Sequence, residues 1–400
     1  MKKLLIVFVS LLALQVVHAA EGEIPYWLSG YKELYEKAPR EAAKAWFREA
    51  KFGLLVHLNL ASLLERGKMD YQPWMAGDAS DRSLKFVGYT RQQYEAAQSQ
   101  QERTNLLFRK YTLKAFDAGK ICDLAVAAEM KYITFTTTHI GGCFNFPTKL
   151  NELNSLNAPA GRDLVGELAE ACKKRGLVLF LYVTPNYVRT RDAKETQHNR
   201  AYLTELLIRY GPVGGIWFDG INNYYRNPEN YEGTEQTYAL IRTLQPHALI
   251  SFKNGAFLEE DFISPESYLP PFEWEFDTPD RQAIFEKRKQ RWSQHQALWE
   301  NGFKSKLREI CTTMLLYRGR DGAAFEEIKG GWINDEKAGH LTADQVYYWL
   351  SYTRNCGANL LMNIGLRADG SIHPDDWKAL VGTGKLIRAK GWPTLNNRPE

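Results

Sequence analysis

The run Trp217-Phe218-Asp219-Gly220 is the part of this chain that most directly suggests chemistry. It closes a short apolar segment, Gly215 to Phe218, that is typical of a buried strand. The glycine lets the backbone turn sharply, so the carboxylate stands at the strand exit. Aspartate also favours turns, and a structural role is the alternative. Because strand exits carry the chemistry of α/β barrels, the pattern predicts a reactive carboxylate.

Polar side chains end or follow other apolar runs in a similar way, while Glu309 opens its run and Asn363 lies within the last one. In a parallel barrel the carboxyl ends of the strands meet on one face, so such side chains would line one pocket. Each of them alone has a structural explanation, such as a hydrogen-bonded histidine or a solvated lysine. Their recurrence along the chain is what predicts a site. These residues are His57, His139, Tyr182, Lys253, Glu309 and Asn363.

Strand-like runs alternate with helical patterns, which indicates parallel βαβ units. Seven strands over this length predict a (β/α)₈-like barrel in which one strand is poorly marked. A doubly wound sheet is the alternative, but no GxGxxG follows the first strand and no phosphate loop is present. The strand-like runs are 52–58, 132–137, 177–183, 216–218, 249–252, 309–313 and 359–364, and the helical patterns are 163–175, 198–210, 234–245, 342–355 and 373–390.

Residues 21–395 are predicted to form this single catalytic domain, without a β-sandwich behind the barrel. Two segments interrupt the alternation. Residues 59–115 are polar and read as irregular, and residues 270–306 are charged and rich in aromatic side chains. In a barrel, insertions that follow the strands build the substrate pocket.

Residues 1–20 have the features of a secretory signal peptide. Lys2 and Lys3 precede an apolar stretch that is too short to span a bilayer comfortably, and Val17-His18-Ala19 offers a cleavage site. No later stretch is long and apolar enough for a membrane anchor. The sequence therefore predicts a periplasmic or secreted protein.

Composition argues against several classes of partner. The formal net charge is +4 and falls to +2 once Lys2 and Lys3 are removed, so no nucleic-acid surface is indicated. The aromatic content of 13% suits either a sugar site or a large core. The cysteines are odd in number and widely spaced, and no histidine pair has metal-ligand spacing, so small buried thiols are expected. The cysteines are Cys122, Cys143, Cys172, Cys311 and Cys356.

Ordered motifs along residues 40–392 resemble those of glycoside hydrolase family 29, the α-L-fucosidases. Residues 51–57 (KFGLLVH) resemble the family's opening segment, and residues 136–139 (TTTH) resemble its Thr-Thr-Lys-His-His segment. The run around Asp219 is similar to the segment that holds the family's nucleophile. Further matches, in family order, are 116–118 (FDA), 161–165 (GRDLV), 171–177 (ACKKRGL), 211–213 (GPV), 261–266 (DFISPE), 309–314 (EICTTM) and 359–370 (NLLMNIGLRADG).

The resemblance implies a retaining α-glycosidase that acts on glycans or glycosides without a metal or organic cofactor. Asp219 would attack the anomeric carbon. A second carboxyl group would protonate the leaving oxygen and then activate water, and retention requires the two carboxyl groups to lie roughly 5–5.5 Å apart.

The position of the acid/base varies within the family, so three glutamates are candidates. Glu309 matches the family's WETC-type segment and is the first choice, Glu266 matches the glutamate of its DFxTPE motif, and Glu275 lies in the second insertion. The residues that the resemblance assigns to the sugar pocket are His57, Trp74, His139, Tyr182 and Lys253, with Glu275 beside them.

The chain departs from the family pattern within the expected pocket. Ile140 replaces a second histidine that donates to a sugar hydroxyl, Gly141 replaces an aspartate, and Lys253 replaces an arginine. Leu58 and Arg308 each replace a tryptophan. Two hypotheses follow: an exported exo-glycosidase with an altered sugar or linkage preference, or a sugar-binding homologue with weak or no hydrolytic activity. The sequence does not indicate an oligomeric state.

Overall fold

Eight parallel strands close into a barrel in the computed structural model of this chain. It describes residues 23–184, 193–220, 231–253, 259–266, 305–316 and 331–394, with the isolated positions 286, 290 and 293. Each strand pairs with the next along the chain, and the last strand closes on the first. The strands are β1 Phe52–His57, β2 Tyr132–Thr136, β3 Val178–Val183, β4 Gly215–Phe218, β5 Leu249–Phe252, β6 Phe262–Ile263, β7 Leu307–Thr313 and β10 Ala358–Gly365.

The predicted barrel is therefore confirmed, and all seven predicted strands belong to it. The strand that the sequence marks poorly is β6, which has only two residues. A separate antiparallel ribbon of β8 Leu315–Leu316 and β9 Gly339–His340 follows β7.

Helices alternate with the strands and cover the outside of the barrel. The five helices expected from the sequence are present, and a sixth, Ala118–Ala127, precedes β2. Helix Leu164–Arg175 shows how local residues set the ends of a helix. Asp163 accepts a hydrogen bond from the Gly166 amide at its start, and Gly176 ends it at a φ of 68°. The other four are Ala193–Arg209, Tyr231–Leu244, Ala343–Asn355 and Pro374–Lys390.

The insertion at 59–115, which read as irregular, contains several short helices. Ser80, Thr90 and Ser99 each begin a helix by accepting a hydrogen bond from a backbone amide three residues later. Such short, mostly polar helices have too few apolar positions for a helical period to be recognised. They are Gly67–Ala76, Asp81–Val87, Arg91–Glu95 and Gln100–Phe108, preceded by a 3₁₀ turn at Leu60–Leu63.

Aromatic side chains fill the amino-terminal end of the barrel. Helix Pro39–Ala50 covers this end, and its Phe47 ring lies 4.5 Å from the ring of Phe262 and 5.6 Å from that of Tyr132. Gly53 leaves room for the Tyr132 ring, because a Cβ atom there would come within 2.3 Å of it. A site on this barrel must therefore lie at the opposite, carboxyl end of the strands.

The cysteines agree with the prediction of small, unpaired side chains. All five are free thiols, four of them buried and Cys356 half-buried. Cys122 and Cys172 lie on neighbouring helices, with their Sγ atoms 3.7 Å apart. No helix within the described residues combines the length and the apolar character needed to cross a bilayer.

Candidate active site

The carboxyl ends of the strands bring together six polar side chains. Five of them were predicted as strand-exit residues, and the sixth follows β6. Direct contacts join them into one cluster, which we call the mouth cluster. Its members are His57, His139, Tyr182, Asp219, Lys253 and Glu266.

Asp219 is the centre of the mouth cluster. The Tyr182 hydroxyl donates to Asp219 Oδ2, the Gly220 amide donates to Oδ1 at 2.5 Å, and Lys253 forms an ion pair with the same carboxylate. Burial by itself would raise the pKa of Asp219, but the Lys253 ammonium and the hydrogen bonds outweigh it and lower the pKa to about 2. Asp219 is therefore ionised at neutral pH, as a nucleophile must be.

Lys253 joins Asp219 to a second carboxylate, Glu266. Its Nζ atom contacts Oδ1 of Asp219 and Oε1 of Glu266. Two oxygens that bind one nitrogen lie no more than about 6 Å apart, which fits the spacing of a retaining pair. Lys253 has a φ of 42°, a left-handed conformation that is costly for a residue with a side chain and recurs at functional sites.

The two carboxylates differ in their affinity for protons. Burial raises the pKa of Glu266, and the Lys253 ammonium only partly opposes this. The Glu266 side chain is 38% exposed, whereas that of Asp219 is 18% exposed. Neighbouring carboxyl groups whose pKa values are pushed apart suit one acid and one nucleophile.

The hydrogen bonds of His57 and His139 fix opposite tautomers. Asn363 Nδ2 donates to Thr313 and to the Trp332 carbonyl, so its Oδ1 faces His57 Nδ1 at 2.6 Å and His57 must donate there. His57 Nε2 is then an acceptor.

His139 has the reverse arrangement. Asn59 Oδ1 accepts from the Ala61 amide, so Asn59 Nδ2 donates to His139 Nδ1 at 3.1 Å and His139 Nε2 carries the proton. Burial lowers the pKa of both histidines, that of His57 to about 4, so both rings are neutral. The pair offers one acceptor and one donor.

A stacked aromatic pair supports the mouth cluster. The rings of Tyr182 and Trp217 lie 5.1 Å apart and nearly parallel, and Lys253 Nζ is 6.0 Å from the Trp217 ring. The stack places the Tyr182 hydroxyl against Asp219 and gives the ammonium an aromatic face.

Sequence reasoning missed two residues of the site. Asn59, two positions after His57, orients His139, and the Trp332 ring lies 5.8 Å from that of His57. Asn59 could have been found from its position just beyond a strand exit. Trp332 lies in no motif, and no sequence signal placed it here.

The preference for Glu309 as the acid/base is not supported by its position. Glu309 is 1% exposed and accepts hydrogen bonds from Tyr132, from Trp217 Nε1 at 3.1 Å and from Ser264 at 2.6 Å. None of the contacts described for it involves Asp219 or Lys253. It is the third residue of β7 and pairs with Asn359 near the start of β10, so it lies inside the filled part of the barrel and not at a strand exit.

Trp74 also lies elsewhere than expected. It is fully buried among the helices of the first insertion, where its ring packs 4.9 Å from that of Tyr94 and its Nε1 donates to the Arg103 carbonyl. A ring without accessible surface offers no face to a sugar, so we no longer assign it to the pocket. Glu275, most of the second insertion and the first 22 residues lie outside the described part of the chain.

The fold and the site together define a class of protein. A closed parallel barrel with paired carboxylates at its carboxyl-terminal mouth is an arrangement of barrel glycoside hydrolases. A sequence model described as Alpha-L-fucosidase matches residues 26–312, which is more than half of the chain. The chain belongs to the α-L-fucosidase family of glycoside hydrolases, as its motifs had suggested.

Curated relatives agree with this family, and solved structures agree with the fold. The chain is 26% identical over 380 residues to the tissue alpha-L-fucosidase of Rattus norvegicus (88% of this chain, 70% of the relative) and 24% identical over 378 residues to that of Homo sapiens (89% and 70%). Alpha-L-fucosidase isoenzyme 1 from Paenibacillus thiaminolyticus has a similar fold, with a TM-score of 0.61 at 22% identity (88% of this chain, 77% of that one). The alpha-fucosidase of Thermotoga maritima in complex with fucose gives a TM-score of 0.60 at 18% identity (88% and 77%).

Proposed function

We propose that this protein is a retaining exo-glycosidase that removes terminal α-L-fucosyl residues, or residues of similar configuration, from glycans. The observation that carries the proposal is the Lys253 ammonium held between Asp219 and Glu266. It places an ionised carboxylate beside one that binds protons more readily, at the open end of the barrel.

In the first step, an oxygen of Asp219 bonds to the anomeric carbon while the bond to the leaving oxygen breaks. Glu266 gives its proton to that oxygen, and the sugar stays on Asp219 as an ester. In the second step, Glu266 takes a proton from water, the water oxygen bonds to the anomeric carbon, and Asp219 is released. Two inversions return the original configuration.

The neutral histidines suit the recognition of sugar hydroxyls. A hydroxyl can donate to His57 Nε2 and another can accept from His139 Nε2, and a site built for such bonds rejects sugars that lack them. Ile140 adds an apolar side chain, 9% exposed, where a second donor would stand in the family pattern. We propose that this change shifts the sugar or linkage preference.

Hydrolysis of aryl glycosides tests the activity. We expect release of the aglycone from an aryl α-L-fucoside, with the α-anomer of fucose appearing first in proton NMR spectra. Aryl β-L-fucoside and α-D-galactoside test the configuration that the pocket accepts. Binding of L-fucose without cleavage of any α-L-fucoside would support the silenced homologue instead.

The acid/base assignment has its own test. The Glu266→Ala variant should cleave substrates with good leaving groups far better than those with poor ones, and azide should accelerate release of its glycosyl-enzyme. Glu309→Ala is the comparison, since it removes a carboxyl that does not contact Asp219. If Glu309→Ala and not Glu266→Ala shows both behaviours, the assignment is wrong.

We also propose that the protein is exported, because residues 1–20 have the pattern of a signal peptide. Mass spectrometry of the protein from the producing cell should show a mature chain that begins at Ala20 or Glu21. An intact amino terminus would contradict export by this route.

A further inference from the structure

Two histidines and two aspartates with no part in the proposed reaction meet on the same face of the barrel. His340 lies in β9, in the connection that leaves β7, and His373 begins the helix that follows β10. Asp375 and Asp376 are in the first turn of that helix. One candidate ligand atom from each of His340, His373 and Asp375 lies within 4.8 Å of the others.

His340 is held with one ring nitrogen free. Its side chain is 4% exposed, and its Nδ1 lies 2.6 Å from Oδ1 of Asp376, a residue that is itself 1% exposed. Its Nε2 is buried and has no hydrogen-bond partner among the described residues. A buried polar atom without a partner is costly, whereas a carboxylate on the far nitrogen is how proteins orient a metal-binding histidine.

The His373 ring packs directly against the His340 ring. The two imidazoles stack with their centroids 4.0 Å apart and their planes 14° from parallel. His373 Nδ1 accepts from the Asp375 amide at 3.2 Å, which caps the helix, and an Asp375 carboxylate oxygen lies 3.9 Å from the same nitrogen. The Asp375 side chain is 66% exposed, so the group opens to solvent on one side.

We propose that His340, His373 and Asp375 bind a divalent transition metal of the zinc class, with Asp376 orienting His340. Two imidazole nitrogens and one carboxylate oxygen are a common ligand set for Zn²⁺, with water at the fourth position. To bind the ion, the His373 ring would turn out of its stack on His340, and its Nδ1 would exchange the Asp375 amide for the ion. Calcium and magnesium prefer all-oxygen sites and fit this set poorly. The site departs from the expectation that no metal is involved, which rested on the family resemblance and on spacing along the sequence. Spacing does not reveal this group, because its histidines are separated by 32 intervening residues.

The ion would tie two connections of the barrel together. The segment 331–341 carries Trp332, which contacts His57 of the mouth cluster, and Glu336, which pairs with Arg367 after β10 at 2.9 Å. His340 lies near the end of this segment, and the ion would fix it to the helix Pro374–Lys390. The site is separate from the residues of the mouth cluster, so the role that we assign to the ion is structural.

Calorimetric titration of the chelator-treated, untagged protein with Zn²⁺ tests the proposal. We expect one ion per chain and a rise in the melting temperature on binding. His373→Asn removes the imidazole but keeps a side chain that can cap the helix. It should abolish the one-to-one binding and the thermal shift. Asp376→Asn, which loosens His340, should weaken binding by about 10–100-fold.

Asp344→Asn is the control for a change at the start of a helix, because Asp344, like Asp375, is an exposed aspartate in the first turn of its helix. It should bind Zn²⁺ as the unaltered chain does. The proposal is overturned if the unaltered protein binds no ion at one equivalent, or if His373→Asn binds as tightly as Asp344→Asn. Mg²⁺ or Ca²⁺ binding in place of Zn²⁺ would also overturn it.

Discussion

Two carboxylates in one barrel, the half-buried Asp219 and the buried Glu309, have opposite protonation behaviour. Both accept several hydrogen bonds, and the stacked rings of Tyr182 and Trp217 connect them, since Tyr182 donates to Asp219 and Trp217 donates to Glu309. The pKa of Asp219 is lowered to about 2, whereas burial raises the pKa of Glu309 to about 7.

The two carboxylates differ in whether a cation lies beside them. Asp219 is paired with Lys253, while the donors described for Glu309 are the neutral groups of Ser264, Tyr132 and Trp217. Neutral hydrogen bonds offset only part of the cost of burying a charge, and an adjacent ammonium offsets the rest. The mouth of the barrel therefore holds a charge that can react, and the interior holds a carboxyl that binds a proton near neutral pH.

The sharpest test of this difference between Asp219 and Glu309 compares the activities of a variant at each position. Asp219→Asn should lower kcat by at least about 10⁴-fold, because loss of a nucleophile in hydrolases has effects of that size. Glu309→Gln, a change of the same shape in the interior, should retain most of the activity. Circular dichroism would show that both variants fold. Equal losses of kcat in the two would contradict the division.

We expect the free energy of unfolding, unlike kcat, to depend strongly on Glu309. Glu309→Ala removes the acceptor of three buried donors and leaves a cavity, so we expect a loss of about 3–5 kcal/mol in the free energy of unfolding. Glu309→Gln keeps a polar group of the same size and should lose less. Denaturant unfolding at pH 6 measures both. A loss under about 1 kcal/mol for Glu309→Ala would show that water or repacking replaces the carboxyl.

Removing the cation should make Asp219 behave more like Glu309. Lys253→Met is expected to move the acid limb of the kcat/KM profile upward by about 1–3 pH units, since an adjacent opposite charge shifts a pKa by this much. Lys68, an exposed cation that lowers the pKa of Glu266 without a contact, gives the matched variant Lys68→Met, in which the acid limb should stay close to that of the unaltered protein. An unchanged acid limb in Lys253→Met would mean that Lys253 does not set the pKa of Asp219.

The smallest effect is on the pH dependence of stability. Because the folded state raises the pKa of Glu309 from 4.5 to about 7, it binds this proton more tightly than the unfolded chain does. The contribution is fully present below about pH 4.5 and is lost as pH rises to about 7, at most about 3 kcal/mol. Unfolding of Glu309→Gln from pH 4 to 8 should lack this decline. Parallel curves for the variant and the unaltered protein would show that Glu309 titrates normally.

The elements of the fold could be predicted because their signals are local. Buried parallel strands are continuous apolar runs, and helices such as Leu164–Arg175 carry their own start and stop residues. Two features of the fold were not recognised in the sequence, and the reason is the same for both. Strand β6 has two residues and the helices of residues 59–115 are short, so neither offers a full period to recognise.

The site was predicted in part. Asp219 and Glu266 were both named from the sequence, but the sequence ranked Glu309 first as the acid/base and the geometry favours Glu266. The motif begins at Glu309, whereas the strand begins earlier, at Leu307. A glutamate in the third position of a seven-residue strand points into the barrel and lies far from its exit. Register, which decides this, depends on pairing with a distant strand.

The sequence by itself determined the family, the barrel and the carboxylate at the end of β4, since each is written in contiguous residues. Only the tertiary structure decided which glutamate shares an ammonium with Asp219, which histidine donates and which accepts, and that His340 meets His373. These depend on contacts between strands and connections far apart in the chain. The burial and the neighbouring charges that set each pKa do not exist until the barrel closes.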